Sequence, residues 1–156
     1  MLIDGCDLCE LIHKGGILTD VEGSTVEELF ADISKKITLP SSLDKNQFVK
    51  ELLEREAVLS TAVGNGISIP HPRRPVMKEK EQERLIVCYL KNPIDMNAPD
   101  GQKVHSMFIL LSQSAQFHVK ALVQLAKLFR SPEFKQLIRT KPSEKDLLRL
   151  IDFLKV

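Results

Sequence analysis

Apolar residues recur at the spacing of an α-helix in the first third of the chain, and residues typical of helix N-caps precede them. Ser24 stands three positions before Glu27, which is the spacing of a capping box, and predicts a helix that a proline ends. Asp44 stands three positions before a glutamine and predicts the start of another helix. We also predict a short helix over residues 5–13 and a strand over residues 17–21.

The C-terminal third of the chain has the same helical period. Residues 116–130 place leucines and a phenylalanine on one stripe. Ser131 followed by Pro132 is typical of an N-cap with proline at the first helical position. Ser143 predicts the N-cap of a last helix with an apolar face of leucines and an isoleucine. The pattern therefore predicts that the chain ends in consecutive helices.

Two apolar runs in the middle of the chain have the length of β-strands. Residues 85–90 and 107–111 are nearly continuous in apolar character, as in central strands that are covered on both faces. Residues 67–70 alternate as in a shorter strand. Asp100 and Gly101, between the two long runs, predict a hairpin turn and hence antiparallel neighbours. Helices on both sides of these strands predict an α/β sandwich, with a mixed parallel and antiparallel sheet flanked by helices.

Composition narrows the class of protein. The length of 156 residues fits a single domain over residues 1–156, with 43% hydrophobic and 28% charged residues. The net charge of +1 is atypical of nucleic-acid binding proteins, which are usually strongly basic. No apolar run reaches the length of a membrane helix, and three cysteines are too few for a disulfide scaffold. We therefore expect a cytoplasmic protein that neither binds nucleic acid nor inserts into a membrane.

The segment around His71 contains residue types that suit an anionic ligand. His71 lies between Pro70 and Pro72, and proline restricts φ, so the backbone there is stiff. Glycines allow close backbone approach and free amide donors, while hydroxyls and arginines suit phosphate. These neighbours are Arg55, Ser60, Thr61, Gly64, Gly66, Arg73 and Arg74. The alternative interpretation of His71 is a turn residue that ends a strand and contacts solvent.

The same segment resembles the active-site region of the IIA components of the bacterial phosphotransferase system, in the fructose/mannitol and nitrogen-regulatory class. The residues that fill the family pattern are Glu56, Val63, Gly64, Ile67, Ile69, Pro70 and His71. Two positions depart from it: Ser68 replaces the usual alanine, and Pro72 replaces the usual small residue. The resemblance covers roughly residues 1–154, including residues 92–104 and a helix with a second histidine over residues 117–129.

The resemblance implies a phosphorylatable histidine at His71, with His118 assisting it and the family's arginine at Arg55. His118 occupies the first predicted turn of its helix, near the positive end of the helix dipole. Taken alone, it is better interpreted as a partly buried helix-start histidine that backbone groups satisfy. We expect the phosphoryl group to contact Ser60, Thr61, Gly64, Gly66 and Arg73, and we expect neither a cofactor nor a metal.

The function implied by the resemblance is that of a phosphotransferase component with a phosphohistidine intermediate. It accepts a phosphoryl group from the histidine phosphocarrier protein HPr and passes it to a IIB component, or uses it as a nitrogen-regulatory signal on a target protein. The sequence leaves open whether the protein forms a homodimer. The alternative is a degenerate, non-catalytic module of the same fold that binds a protein partner, and Pro72 favours it.

A third interpretation rests on two cysteines near the N-terminus. Cys6 and Cys9 form a CxxC pair with a histidine four residues later, which is typical of a redox pair or of half a zinc site. No second CxxC completes a zinc site. The preferred interpretation is therefore two cysteines on a small helix.

Overall fold

A mixed five-stranded sheet forms the centre of the computed structural model, which describes residues 7–156. In chain order the strands are β1 (Ile17–Val21), β2 (Ala62–Gly64), β3 (Ile67–Ser68), β4 (Arg84–Ile94) and β5 (Val104–Leu111). Their spatial order is β1-β4-β5-β3-β2. The β1–β4 and β3–β5 pairs are parallel, whereas β4–β5 and β2–β3 are antiparallel. This confirms the predicted mixed sheet.

Helices cover both faces of the sheet. They are α1 (Leu8–Gly15), α2 (Val26–Lys36), α3 (Lys45–Val58), α4 (Ala115–Phe129), α5 (Pro132–Ile138) and α6 (Glu144–Leu154). Helices α1, α4, α5 and α6 pack in one hydrophobic cluster, and α2 and α3 pack in another. None of the helices formed by residues 7–156 is long and apolar enough to cross a membrane.

The two central strands, β4 and β5, contribute side chains to both clusters. In β4, Leu85, Val87 and Tyr89 enter the first cluster, and Ile86, Cys88 and Leu90 enter the second. Successive side chains of a strand point to opposite faces, so a strand buried on both faces is apolar at nearly every position. The prediction of central strands in these two runs is therefore confirmed.

Most predicted helix starts are also confirmed. The side chains of Asp44, Ser131 and Ser143 each accept a backbone hydrogen bond at the start of α3, α5 and α6. The predicted cap at Ser24 is wrong by one residue. Thr25 caps α2, because its hydroxyl accepts from the Glu28 amide at 3.1 Å. Helix α1 begins later than predicted, at Leu8, and residues 5 and 6 lie outside the described residues.

The connection between β4 and β5 differs from the predicted tight hairpin. It runs over residues 95–103, and within it the Gly101 amide donates to the Ala98 carbonyl at 3.0 Å, which closes a turn. The Asp100 carboxylate accepts from the backbone amides of Asn65 at 2.8 Å and Gln102 at 3.1 Å. Asp100 therefore ties this loop to the turn between β2 and β3, and only the antiparallel pairing of β4 with β5 is as predicted.

Candidate functional site

His71 and His118 meet at the edge of the sheet where β3 and β5 end. These two strands are parallel neighbours, so their carboxyl ends share one edge. The Leu110 amide donates to the Pro70 carbonyl at 3.0 Å, which keeps the segment before His71 beside β5. His118 lies in the first turns of α4, which follows β5. The two imidazole ring centroids are 4.7 Å apart and the rings are tilted by 52°.

The ring of His71 is oriented by one backbone group. Its Nδ1 lies 2.7 Å from the carbonyl oxygen of Ile69. A carbonyl can only accept, so Nδ1 carries the proton, and in the neutral ring Nε2 keeps its lone pair. Burial is the main cause that lowers the pKa of His71 below its usual value, and the positive charge of Arg55 acts in the same direction. The neutral ring with a free Nε2 lone pair is a nucleophile.

Glu56 holds the strand segment that orients His71. The amide and the hydroxyl of Thr61 both donate to the Glu56 carboxylate, each at 2.7 Å. The Thr61 carbonyl in turn accepts from the Ile69 amide at 3.0 Å. Because Ile69 supplies the carbonyl that binds His71 Nδ1, this carboxylate at the end of α3 fixes the acceptor of the His71 ring proton through two residues.

His118 is also a neutral ring at physiological pH. Burial, followed by repulsion from His71 and Arg55 in their charged forms, lowers the pKa of His118 to about 4. Its Nδ1 lies 3.4 Å from the hydroxyl oxygen of Ser112. The site therefore presents two neutral imidazoles beside each other.

Arg55 lies in the last turn of α3, and Nη1 of its guanidinium donates to the Leu59 carbonyl at 2.6 Å. Its charge lowers the pKa of both His71 and His118, so it acts on both rings. A guanidinium placed in this way attracts a negatively charged group bound between the two rings. The structure thus places His71 and His118 beside each other, with Arg55 close enough for its charge to act on both.

The other residues that were predicted to contact the phosphoryl group have different positions and partners in the structure. The Ser60 hydroxyl donates to the Met96 carbonyl, and the Thr61 hydroxyl donates to Glu56, so both hydroxyls are used within the protein. Gly64, the last residue of β2, and Gly66, in the turn between β2 and β3, both have positive φ. A Cβ at Gly64 would face the Asp100 carboxylate, and a Cβ at Gly66 would face the His105 ring. The nearest neighbours of the two glycines are therefore not the two site histidines.

Gly66 is required for a different reason. A Cβ at this position would lie 2.3 Å from the ring of His105, and its φ is +80°. Its carbonyl accepts from the His105 amide at 2.8 Å. This glycine therefore serves the close approach of the turn to β5.

Arg73 lines a cavity of about 140 Å³ between the segment that follows His71 and the start of α4. Pro72, Arg74, Ser112 and His118 also line it. Arg73 is exposed, whereas the Arg74 guanidinium lies 3.6 Å from the Glu51 carboxylate. The structure therefore places Arg73 near His118 and on the solvent side of the site.

The two departures from the family pattern have different surroundings. Ser68 lies in β3 beside Met107, is fully buried, and its hydroxyl has no hydrogen-bond partner within residues 7–156. Pro72 is buried directly after His71. Pro72 therefore continues the stiff backbone around His71, and the exposed arginines follow it.

Two polar residues of this edge were not singled out from the sequence. Ser112 follows the last residue of β5, and Glu83 precedes β4 with 3% of its surface exposed. The Glu83 carboxylate accepts from the Gln113 amide at 2.9 Å, and burial raises the pKa of Glu83. A polar residue at the carboxyl end of an apolar strand beside the strand that leads to His71 is the signal that identifies Ser112.

The CxxC interpretation falls partly outside the described residues, because Cys6 is not among them. The Cys9 thiol donates to the Leu148 carbonyl at 3.7 Å, and burial together with nearby carboxylates raises the pKa of Cys9. A raised pKa disfavours the thiolate that redox chemistry and zinc binding need. Over the stretch that the structure describes, no group of three or more His, Cys, Asp and Glu side chains is arranged to hold a metal ion.

We expect both site histidines to titrate below pH 6.5 in NMR spectra of the ring C–H groups, with His118 at about 4. Arg55→Gln removes a positive charge and should move both midpoints upward. Arg149→Gln is the matched control and should move neither midpoint. In the wild type, the lowered pKa values mean that the unfolded chain binds more protons than the folded one between about pH 4 and 6.5. The free energy of unfolding therefore falls as the pH falls through this window. A His118 midpoint at 6.5 or above contradicts this prediction.

Comparisons with known proteins identify the family of this chain. A family model described as "Phosphoenolpyruvate-dependent sugar phosphotransferase system, EIIA 2" matches residues 10–153. A nitrogen regulatory protein of Bradyrhizobium diazoefficiens is 28% identical over 134 residues, which are 85% of this chain and 86% of that protein. A mannitol-specific phosphotransferase enzyme IIA component of Mycoplasma pneumoniae is 27% identical over 143 residues, 90% of this chain and 94% of that protein. The crystal structure of nitrogen regulatory protein IIA-Ntr from Neisseria meningitidis superposes with a TM-score of 0.70 at 26% identity, covering 88% of this chain and 93% of that one.

Proposed function

Because the chain belongs to the EIIA 2 family of the phosphoenolpyruvate-dependent sugar phosphotransferase system, we propose that it is a phosphocarrier that accepts a phosphoryl group on His71. The observation that carries this proposal is the 2.7 Å hydrogen bond from His71 Nδ1 to the Ile69 carbonyl. It leaves the Nε2 lone pair free beside a second neutral imidazole, which is what a histidine nucleophile requires. The donor is the phosphohistidine of an HPr-type phosphocarrier protein.

Transfer on this proposal needs no net movement of protons. The His71 Nε2 lone pair attacks phosphorus, and an N–P bond forms while the N–P bond of the donor breaks. The donor ring enters protonated on its other nitrogen and leaves as a neutral imidazole with the bond's electron pair. His71 keeps its Nδ1 proton, so the phosphorylated ring carries one positive charge. The Ile69 carbonyl accepts from that proton and stabilises the charge.

The remaining site residues stabilise the negative charge of the phosphoryl group and take no part in making or breaking covalent bonds. A phosphoryl group brings roughly 1.5 to 2 negative charges at neutral pH. Phosphoryl transfer depends mainly on positioning and electrostatic stabilisation. Arg55 supplies a fixed positive charge that acts on both rings, and His118 supplies a neutral ring that can donate one hydrogen bond to a phosphoryl oxygen.

The proposed recipient is either a IIB component or a regulatory target in the cytoplasm. Relatives named for nitrogen regulation and for mannitol transfer match the chain at similar identity, so the comparisons favour neither branch. The chemistry at His71 is the same in both. In the regulatory branch, the added charge itself changes the contact with the target.

A second candidate function is a non-catalytic protein-binding module of the same fold. The observation that favours it is the buried Pro72 directly after His71, where the family pattern has a small residue. Such a module would retain His71, His118 and Arg55 without transferring phosphate.

Intact-mass measurement after incubation with phosphoenolpyruvate, Enzyme I and HPr tests the proposed function. We expect one added phosphoryl group that is lost in acid, and no added group when HPr is omitted. Absence of the group from reactions whose HPr is shown to be phosphorylated overturns the phosphocarrier proposal and favours the binding module.

A further inference from the structure

Ser112 is the one side chain that the structure places against Nδ1 of His118, with its hydroxyl oxygen 3.4 Å away, among residues 7–156. This separation is at the long end for a hydrogen bond, and such bonds in unliganded sites often shorten when the reacting group binds. We propose that Ser112 is a positioning residue that donates this hydrogen bond and so places the ring proton of His118 on Nε2. The role of the Nε2 proton rests on the proposed phosphocarrier function.

The direction of the hydrogen bond follows from the burial of Ser112. Only 4% of its surface is exposed, and its hydroxyl makes no second hydrogen bond within residues 7–156. If His118 Nδ1 carried the proton and donated to Ser112, the serine O–H would have no acceptor among the protein groups of residues 7–156. A buried donor without an acceptor is costly. The Nδ1 lone pair is the acceptor within reach, so the hydroxyl donates and Nδ1 accepts.

The backbone on both sides of Ser112 is held in place. Its carbonyl accepts from the amides of Val76 at 3.2 Å and Met77 at 3.1 Å. The next amide, of Gln113, donates at 2.9 Å to the carboxylate of Glu83, which is itself 3% exposed. These hydrogen bonds join the backbone around Ser112 to two segments outside α4. They therefore keep its hydroxyl beside Nδ1 of His118.

The consequence is a second ring with a defined tautomer. His71 carries its proton on Nδ1 because of Ile69, and His118 carries its proton on Nε2 because of Ser112. A phosphoryl group on His71 Nε2 bears only acceptor oxygens, so the neighbouring ring must offer N–H rather than a lone pair. The low pKa of His118 makes the tautomer decisive, because the ring is neutral at physiological pH and has a single N–H.

The chain offers a matched control for the test. The Ser106 hydroxyl lies 2.8 Å from Nδ1 of His105, and Ser106 is fully buried in β5. Ser112→Ala and Ser106→Ala therefore each remove a buried hydroxyl from the Nδ1 of a histidine, one at the site and one away from it.

The experiment records ¹⁵N NMR spectra of the histidine rings at pH 7 and measures phosphorylation rates with HPr. In the wild type we expect His118 to be protonated at Nε2. Ser112→Ala should mix the two tautomers and slow phosphorylation about 10-fold, the lower end of the loss seen when a metal-binding histidine loses the partner that orients it. Ser112→Thr keeps the hydroxyl and should restore both properties, and Ser106→Ala should leave both unchanged.

Protonation of His118 at Nδ1 in the wild type overturns the proposal, and this result does not depend on any variant folding. Retention of a pure Nε2 tautomer in a folded Ser112→Ala protein overturns it as well. Failure of wild-type phosphorylation contradicts the proposed function instead, while the tautomer measurements still decide whether Ser112 orients the ring.

Discussion

His71→Ala is expected to abolish the uptake of an acid-labile phosphoryl group from HPr. The variant lacks the only ring nitrogen that the Ile69 carbonyl orients as a nucleophile, and alanine offers no group that can replace it. His71 is half-buried and belongs to neither hydrophobic cluster, so the fold should remain. The loss of one hydrogen bond costs about 1 kcal/mol of stability. Intact mass with HPr, together with thermal unfolding, measures both effects.

Two further variants sharpen this prediction. His71→Gln preserves a polar side chain near Ile69 and should be equally inactive, which separates loss of the nucleophile from loss of packing. His13→Ala removes an exposed histidine whose partner is Glu144, and it should be phosphorylated like the wild type. Stoichiometric phosphorylation of His71→Ala on another residue would show that the nucleophile has been misassigned.

His118→Ala is expected to slow phosphorylation by about 10²-fold while leaving the acceptor intact. Removing one preorganised hydrogen-bond donor from a charged transition state typically costs two to three orders of magnitude in rate. The upper part of that range does not apply here, because Arg55 still supplies positive charge to the site. Prolonged incubation should still give one phosphoryl group on His71. Rapid-quench measurement of the rate at saturating phosphorylated HPr checks this effect.

His118→Gln is the informative companion to the alanine variant. A glutamine side chain can accept from the Ser112 hydroxyl with its oxygen and present an N–H with its nitrogen, so it should recover part of the lost rate. Equal rates for His118→Ala and the wild type would remove the assisting role and leave His118 as a structural residue at the start of α4.

The residues at which most helices begin and the apolar runs of the central strands depend on the local sequence, so local rules predicted them. The caps at Asp44, Ser131 and Ser143 are correct because an N-cap involves only a side chain and amides two or three residues later. The same rule placed the start of α2 at Ser24 rather than Thr25, because two neighbouring hydroxyl residues compete for one role. The buried strands were visible as apolar runs because both of their faces are covered.

The site itself depends on strand pairing, which sequence periodicity does not encode. The proximity of His71 and His118 follows from the parallel pairing of β3 with β5, and β3 is too short to be assigned a partner from its own pattern. From the residues alone, His71 remained open between a turn residue and a nucleophile. The resemblance to a family removed that ambiguity. Gly64 and Gly66 lie near His71 in the sequence, but a Cβ at these positions would face Asp100 and His105, which the sequence pattern alone does not predict.

The sequence by itself determined the fold class, the core elements and, through its family pattern, the identity of His71, His118 and Arg55 as the residues to consider. Only the tertiary structure decided which atoms lie against each ring and that both pKa values are lowered. The physical reason is that the groups beside each ring are held, and the rings are buried, by parts of the chain that meet only in the folded state. Thr61 and Glu56 hold Ile69, and Val76, Met77 and Glu83 hold the backbone around Ser112, after the sheet has formed.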